Sequence, residues 1–184
     1  EYLEEAIQQS YPKALYQAAI KEANSNDFEN AKAHLKAAVE KGLPEAMILL
    51  GDLYFQGKLK KPHKQREPKH KRAVYYYKEA AKRSCMEGYQ KLAMVYKAIG
   101  NNELYLESII KAHEFGLKNS TFEYASYLLS QQKVSEAIDI LSKCKEPDDQ
   151  LLLLYAESLY RGKQFNHFDY IIDPLIKREL PEAL

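Results

Sequence analysis

Small residues recur along this chain on a fixed lattice. Ala6, Ala38, Ala80, Ala112 and Cys144, with Leu175 closing the series, are separated by 32, 42, 32, 32 and 31 residues. Ala19, Gly51, Ala93, Ala125 and Ala156 repeat the pattern with separations of 32, 42, 32 and 31. A period in this range marks a protein assembled from stacked supersecondary units, none of which can bury its apolar face alone. A small side chain at one fixed place per helix lets neighbouring backbones approach closely. Both series carry the same excess of about ten residues, which marks one insertion within one unit.

The stretches between lattice points read as helices. In "KALYQAAIKEA" (13–23), "ENAKAHLKAAVEKG" (29–42), "EGYQKLAMVYKAIG" (87–100) and "VSEAIDILSKC" (134–144), apolar residues recur at i, i+3, i+4 and i+7. Gly42, Gly100, Gly116 and Gly162 stand where helices should stop. Pro44 and Pro147 stand where helices should begin. The expected fold is an all-α right-handed solenoid of about five helix pairs. The expected repeats are 12–43, 44–85, 86–117, 118–148 and 149–180, with an insertion at 58–71. Residues 1–11 read as the end of a preceding repeat and 181–184 as the start of another, so the chain reads as one array cut from a longer one.

The insertion is "GKLKKPHKQREPKHKR", from Gly57 to Arg72. It holds eight Lys or Arg residues and one Glu in a chain whose net charge is only +1. Pro62 and Pro68 forbid a continuous helix across it. Like charges at this density keep a segment extended and solvated. It reads either as a solvated loop or as a contact for anions through Lys58, Lys60, Lys61, Lys64, Arg66 and Lys69. An acidic protein surface or an acidic polymer fits that chemistry. Nucleic acid fits poorly, because the run contains no aromatic residue to stack a base and no regular helix to enter a groove.

Nothing in the sequence signals catalysis or a cofactor. It holds no phosphate-cradling glycine loop, no HExxH and no nucleophile elbow. His34, His63, His70, His113 and His167 are not spaced as metal ligands, and Cys85 and Cys144 form no CxxC. The two cysteines fall two repeats apart in the lattice, beyond the reach of a disulfide. No run of 18 apolar residues could span a membrane.

The stretch "AMILLGDLYFQGKL…RAVYYYKEAAKRSCMEGYQKLAMVY" (46–96) resembles the Sel1-like repeat, a branch of the tetratricopeptide superfamily. The residues that carry the likeness are Ala46, Leu50, Gly51, Leu53, Tyr54, Gly57, Ala73, Tyr76, Tyr77, Ala80 and Ala81. "YASYLLSQQKVSEAIDIL" is closer to a plain tetratricopeptide repeat. The resemblance implies a non-enzymatic scaffold that binds proteins on a concave face lined by the first helix of each pair. On that frame the partner-facing residues are Tyr16, Ile20, Asp52, Phe55, Lys97, Phe122, Ser126, Leu129, Glu157, Tyr160 and Arg161. For Phe122 and Leu129, packing against neighbouring helices is an equal alternative. The superfamily's carboxylate clamp does not carry over, because Tyr16 and Ile20 occupy its positions. "AKAHLKAAVEKGLPEAMILLGDLY" and "KLAMVYKAIGNN" also resemble the lipoprotein scaffolds of bacterial alginate export. That likeness implies a periplasmic, outer-membrane-associated protein in exopolysaccharide secretion. The other readings are an intracellular adaptor or regulatory domain and, last, an RNA-associated repeat.

Overall fold

The structure, a computed structural model, describes residues 11–59 and 69–179. Among them are ten α-helices: α1 Pro12–Asn24, α2 Phe28–Glu40, α3 Pro44–Phe55, α4 Lys69–Lys82, α5 Met86–Ala98, α6 Asn102–Glu114, α7 Lys118–Ser130, α8 Val134–Ser142, α9 Asp149–Arg161 and α10 Phe165–Glu179. No strand occurs among the described residues. The chain forms two compact units, Glu1–Tyr105 and Leu106–Leu184, with the division inside α6.

The period is written in the backbone. After most helices the chain bends back through a left-handed residue, and an amide beyond it reaches a carbonyl inside the helix. Cys85 N donates to Ala80 O, Asn101 N to Tyr96 O, Leu117 N to Ala112 O and Lys133 N to Leu128 O, at 2.9–3.3 Å. These bonds close the helix ends, and their acceptors fall sixteen residues apart, half the lattice period. Glycine takes the left-handed position at Gly42, Gly57, Gly100 and Gly116. Elsewhere Asn26, Ser84, Gln132, Glu146 and Lys163 take it at φ 50–64°. Gly162, expected to stop a helix through its conformational freedom, has φ −79° and caps α9, while Lys163 makes the turn.

Helix starts have separate causes. Pro12 and Pro44 open α1 and α3, where a missing N–H costs nothing. The Asp27, Asn101 and Asp148 side chains accept from Asn30 N, Leu104 N and Leu151 N at 3.3, 3.1 and 2.9 Å. Pro147 lies just outside α9, because Asp148 takes the N-cap.

Within the described residues the lattice is a packing lattice. Ala19, Ala38, Ala80, Ala93, Ala112, Ala125 and Ala156 are buried, as is Leu175. Gly51 is buried too, and Cys144 is half-buried. Ala6 falls outside the described residues. In the first unit, one core cluster joins α1, α2 and α3 through Leu15, Leu35, Leu50, Leu53 and Tyr54. A second joins α3, α4 and α5 through Met47, Tyr77, Leu92 and Tyr96. In the second unit, Leu128, Leu129, Leu141, Leu151 and Leu154 join α7, α8 and α9.

Candidate docking surface

The first-unit face centres on Asp52. Its carboxylate accepts from the Tyr77 hydroxyl at 2.6 Å and from the Lys91 amine at 2.8 Å. Three helices, α3, α4 and α5, thus meet at one side chain. Lys91 and Asp52 are only 25 and 19 % exposed, so the pair is shielded more than a surface ion pair. Lys91 also lies 3.9 Å from Glu87. Burial, then the hydrogen bond to Asp52, raises the Tyr77 hydroxyl pKa and keeps it a donor.

Close backbone contact makes this possible. A Cβ on Gly51 would stand 2.5 Å from Tyr77 Cε1, so only glycine leaves room for the ring. A Cβ on Gly88 would stand 2.8 Å from both Tyr77 O and Ala81 N, so α5 begins directly against the backbone of α4.

Tyr16 joins the face from α1. Burial raises its hydroxyl pKa, and the negative charges of Glu87, Glu45 and Asp52 raise it further. Three first helices therefore present Tyr16, Glu45, Asp52, Glu87 and Lys91 to common surroundings, with carboxylates in excess. Of the expected residues, Tyr16 lies within range of the Asp52 charge. Sequence reasoning missed Glu45, Glu87 and Lys91, because the tie from Asp52 to Lys91 spans 39 residues. Phe55 is half-buried against the second core cluster, and Ile20 is half-buried. Lys97 is exposed, with its amine 5.4 Å from the centre of the Tyr105 ring.

In the second unit, Phe122 and Ser126 lie on α7, exposed and half-buried respectively. Leu129 is 6 % exposed and belongs to the core. Glu157, Tyr160 and Arg161 stand exposed on α9, with Arg161 paired to Glu157 at 2.5 Å. Tyr160 packs edge-on against Phe165 at 5.8 Å and lies equally close to Phe168.

Of the basic run, Lys60, Lys61, Lys64 and Arg66 lie outside the described residues. Lys58 is exposed, its amine 5.3 Å over the Phe28 ring. Lys69 is the first residue of α4, so the end of the run is helical. Leu59 is 4 % exposed and anchors the start of the run in the first core cluster. A lone leucine among lysines was the available signal for that anchor.

Where the run rejoins the fold, Lys36, Tyr54, Lys71, Arg72, Tyr75 and Tyr76 line a cavity of about 390 Å³. The Tyr54 and Tyr76 rings stack 5.7 Å apart at 4°, and Tyr75 meets Tyr76 edge-on at 5.2 Å. The Arg72 guanidinium lies 5.3 Å over the Tyr54 ring.

Both cysteines are free thiols, and burial raises the pKa of each. Such thiols are poor nucleophiles. No cluster of three metal-ligating side chains occurs among the described residues. No described helix is long and apolar enough to cross a membrane.

No family model matches the chain, and no curated protein matches it. Solved structures do. A protective antigen of uropathogenic Escherichia coli displaying an SLR fold superposes with a TM-score of 0.67 at 16 % identity, over 88 % of this chain and 36 % of that one. The chain thus spans little more than a third of that relative. A Sel1 repeat protein from Oxalobacter formigenes gives 0.63 at 18 % identity, over 84 % of this chain and 72 % of that one. YrrB, described as a TPR protein with an unusual peptide-binding site, gives 0.56 at 16 % identity, over 94 % and 90 %. These likenesses establish the fold as the all-α repeat type shared by Sel1 and tetratricopeptide proteins.

Proposed function

We propose that this chain is a non-enzymatic scaffold for protein–protein interaction, and that it docks partners on the first helices of its repeats. The observation that carries this reading is the Asp52 tie. It fixes a mixed aromatic and charged surface on rigid helices, which lowers the ordering cost of binding. Tyr16, Asp52, Phe55 and Lys97 form the docking residues of the first unit. Phe122, Ser126, Glu157, Tyr160 and Arg161 form those of the second. Exposed aromatics beside an arginine suit a binding hot spot. The reported peptide-binding site of YrrB supports the use of such a fold for binding.

The finer reading places the scaffold in a bacterial envelope or exopolysaccharide-secretion assembly. The basic run, through Lys58, Lys60, Lys61, Lys64, Arg66 and Lys69, then contacts an acidic polymer or an acidic protein surface.

Site-specific photo-crosslinking in the source cells tests the docking surface. A benzoylphenylalanine at Tyr16 or Tyr160 is expected to trap a discrete partner, and Asp52→Lys to abolish the adduct at Tyr16. The control position is Ala33, exposed on the second helix α2. Adducts from Ala33 and none from Tyr16 or Tyr160 would overturn the proposal.

A further inference from the structure

Single exposed apolar residues are ordinary on a protein surface. One pair on α10 is not, because the lattice shows what its equivalents do. Leu35, Tyr77, Ile109 and Leu141 hold one place in successive second helices, separated by 42, 32 and 32 residues, and none is more than 4 % exposed. The first helix that follows supplies cover. Leu35 clusters with Ala46 and Leu50 of α3, Tyr77 with Leu92 and Val95 of α5, and Leu141 with Leu151 and Leu154 of α9.

Ile172 takes this place in α10, 31 residues after Leu141, yet it is only half-buried. Ile176 lies one turn on and is 48 % exposed. Its equivalents Val39 and His113 are engaged. Val39 packs against both core clusters of the first unit, and His113 Nδ1 meets Thr121 Oγ1 of α7 at 2.9 Å. Residues i and i+4 share one face of a helix. Ile172 and Ile176 thus present on α10 the apolar surface that elsewhere in the chain seats a helix.

We infer that this face docks an amphipathic helix of a partner protein, carrying leucines at i and i+3 as α9 carries Leu151 and Leu154 against Leu141. The contact continues on α10 the packing that α9 makes on α8. A helix docked in this way lays its apolar stripe on the surface and is read through a few anchoring side chains. The inference goes beyond the first-helix docking surface and shares no residue with it, so either can fail alone.

The test uses the full chain and a fluorescein-labelled, hydrocarbon-stapled peptide of the α9 sequence, Asp149–Arg161, followed by anisotropy. Binding is expected, and Ile176→Lys should weaken it by about tenfold, the loss of one buried isoleucine contact. Tyr170→Lys puts the same charge on α10 at a residue that is 80 % exposed, and should leave affinity within about twofold. A peptide of the same composition with its leucines scrambled should not bind. Ile176→Lys should also melt within about 2 °C of the parent chain. A larger fall would mean that the chain covers Ile176 by itself, and would overturn the inference. So would absence of binding, equal losses at Ile176 and Tyr170, or equal binding of the scrambled peptide. Sedimentation equilibrium tests for the other occupant. A dimer of the parent chain that Ile176→Lys dissociates would assign the face to a second copy and overturn the assignment to a partner.

Discussion

In the unit Glu1–Tyr105 the buried aromatic residues among those described are Tyr54, Tyr77 and Tyr96, set among Ala, Gly and Leu. In the unit Leu106–Leu184 the core is mainly leucine, with buried Ser108, Ser120, Thr121 and Ser158. The polar groups of the two cores are satisfied differently. Ser158 donates back into its own helix, to Leu154 O at 2.7 Å; Thr121 donates to Leu117 O at 3.2 Å, and its Oγ1 also lies 2.9 Å from His113 Nδ1 on the preceding helix. Tyr77 and Lys91 instead reach Asp52 across 25 and 39 residues. A buried hydroxyl on a long aromatic arm must find a partner on another helix, and the partner then fixes how those helices pack. A serine satisfied by its own helix leaves packing to the shapes of the leucines around it. The first unit therefore carries a built polar centre at its face, whereas the second carries exposed rings at Tyr160 and Phe165.

The largest expected difference lies in the glycines of the first unit. Gly88→Ala drives a methyl against two backbone atoms that cannot step aside, and should cost about 3 kcal/mol. Gly51→Ala meets the fully buried Tyr77 ring, a side chain rather than backbone, so about 1–3 kcal/mol is expected, together with loss of the Tyr77 hydroxyl contact. Gly162→Ala in the second unit meets the end of the Ile138 side chain at 2.9 Å and should cost less than either. Urea denaturation ranks the three. A Gly162 variant as damaged as the Gly88 variant would erase the distinction.

Polar substitutions sharpen the contrast at smaller magnitude. Asp52→Asn weakens a tie shared by three helices and should cost about 1–3 kcal/mol. Ser158→Ala removes a hydroxyl that serves only its own helix, and should stay within about 1 kcal/mol. Equal costs would show that the long-range tie is no more important than the local bond.

The turns differ as well. The first unit uses glycine in the left-handed position after α2, α3 and α5 and Asn26 and Ser84 after α1 and α4, while the second has Gly116 alone beside Gln132, Glu146 and Lys163 among the described residues. Gln132→Gly should raise the melting temperature, by up to about 1 kcal/mol of stability. Gly100→Ala, in the first unit, should lower it by a similar amount. Unchanged melting in both would remove the turns from the comparison.

The smallest effect concerns pH. Burial lowers the His113 pKa below its ordinary value of 6.5, and its Nδ1 lies 2.9 Å from Thr121 Oγ1. The unfolded chain then binds the proton more readily than the folded one. Stability should fall as pH drops through about 6.5 and below. His113→Gln should flatten that part of the pH–stability profile. A parent profile already flat there would contradict the burial of the ring.

The legibility of each feature follows from its range along the chain. Helix pairs, the small-residue lattice and the proline and glycine punctuation depend on residues a few positions apart, and the sequence shows them plainly. Left-handed Ser84, Gln132 and Lys163 were not legible, because periodic turn geometry, not residue preference, places them there. Tyr16 and Asp52 were named from their place in the repeat frame, and Asp52 proves to be the acceptor that Tyr77 and Lys91 share. Lys91 was not legible, since its partner Asp52 lies in another helix, 39 residues away. Gly88 escaped notice because its neighbour is the backbone of α4, which no side-chain pattern reports.

One carboxylate, Asp52, couples α3, α4 and α5 and is proposed to fix the docking face. A double-mutant cycle tests it most directly, with Tyr77→Phe and Lys91→Met made singly and together and stability read by urea unfolding. Both groups bind the same carboxylate, so the account predicts a coupling energy of about 0.5–3 kcal/mol between them. Effects that add to within about 0.3 kcal/mol would mean that the two contacts are independent, and would contradict a shared centre.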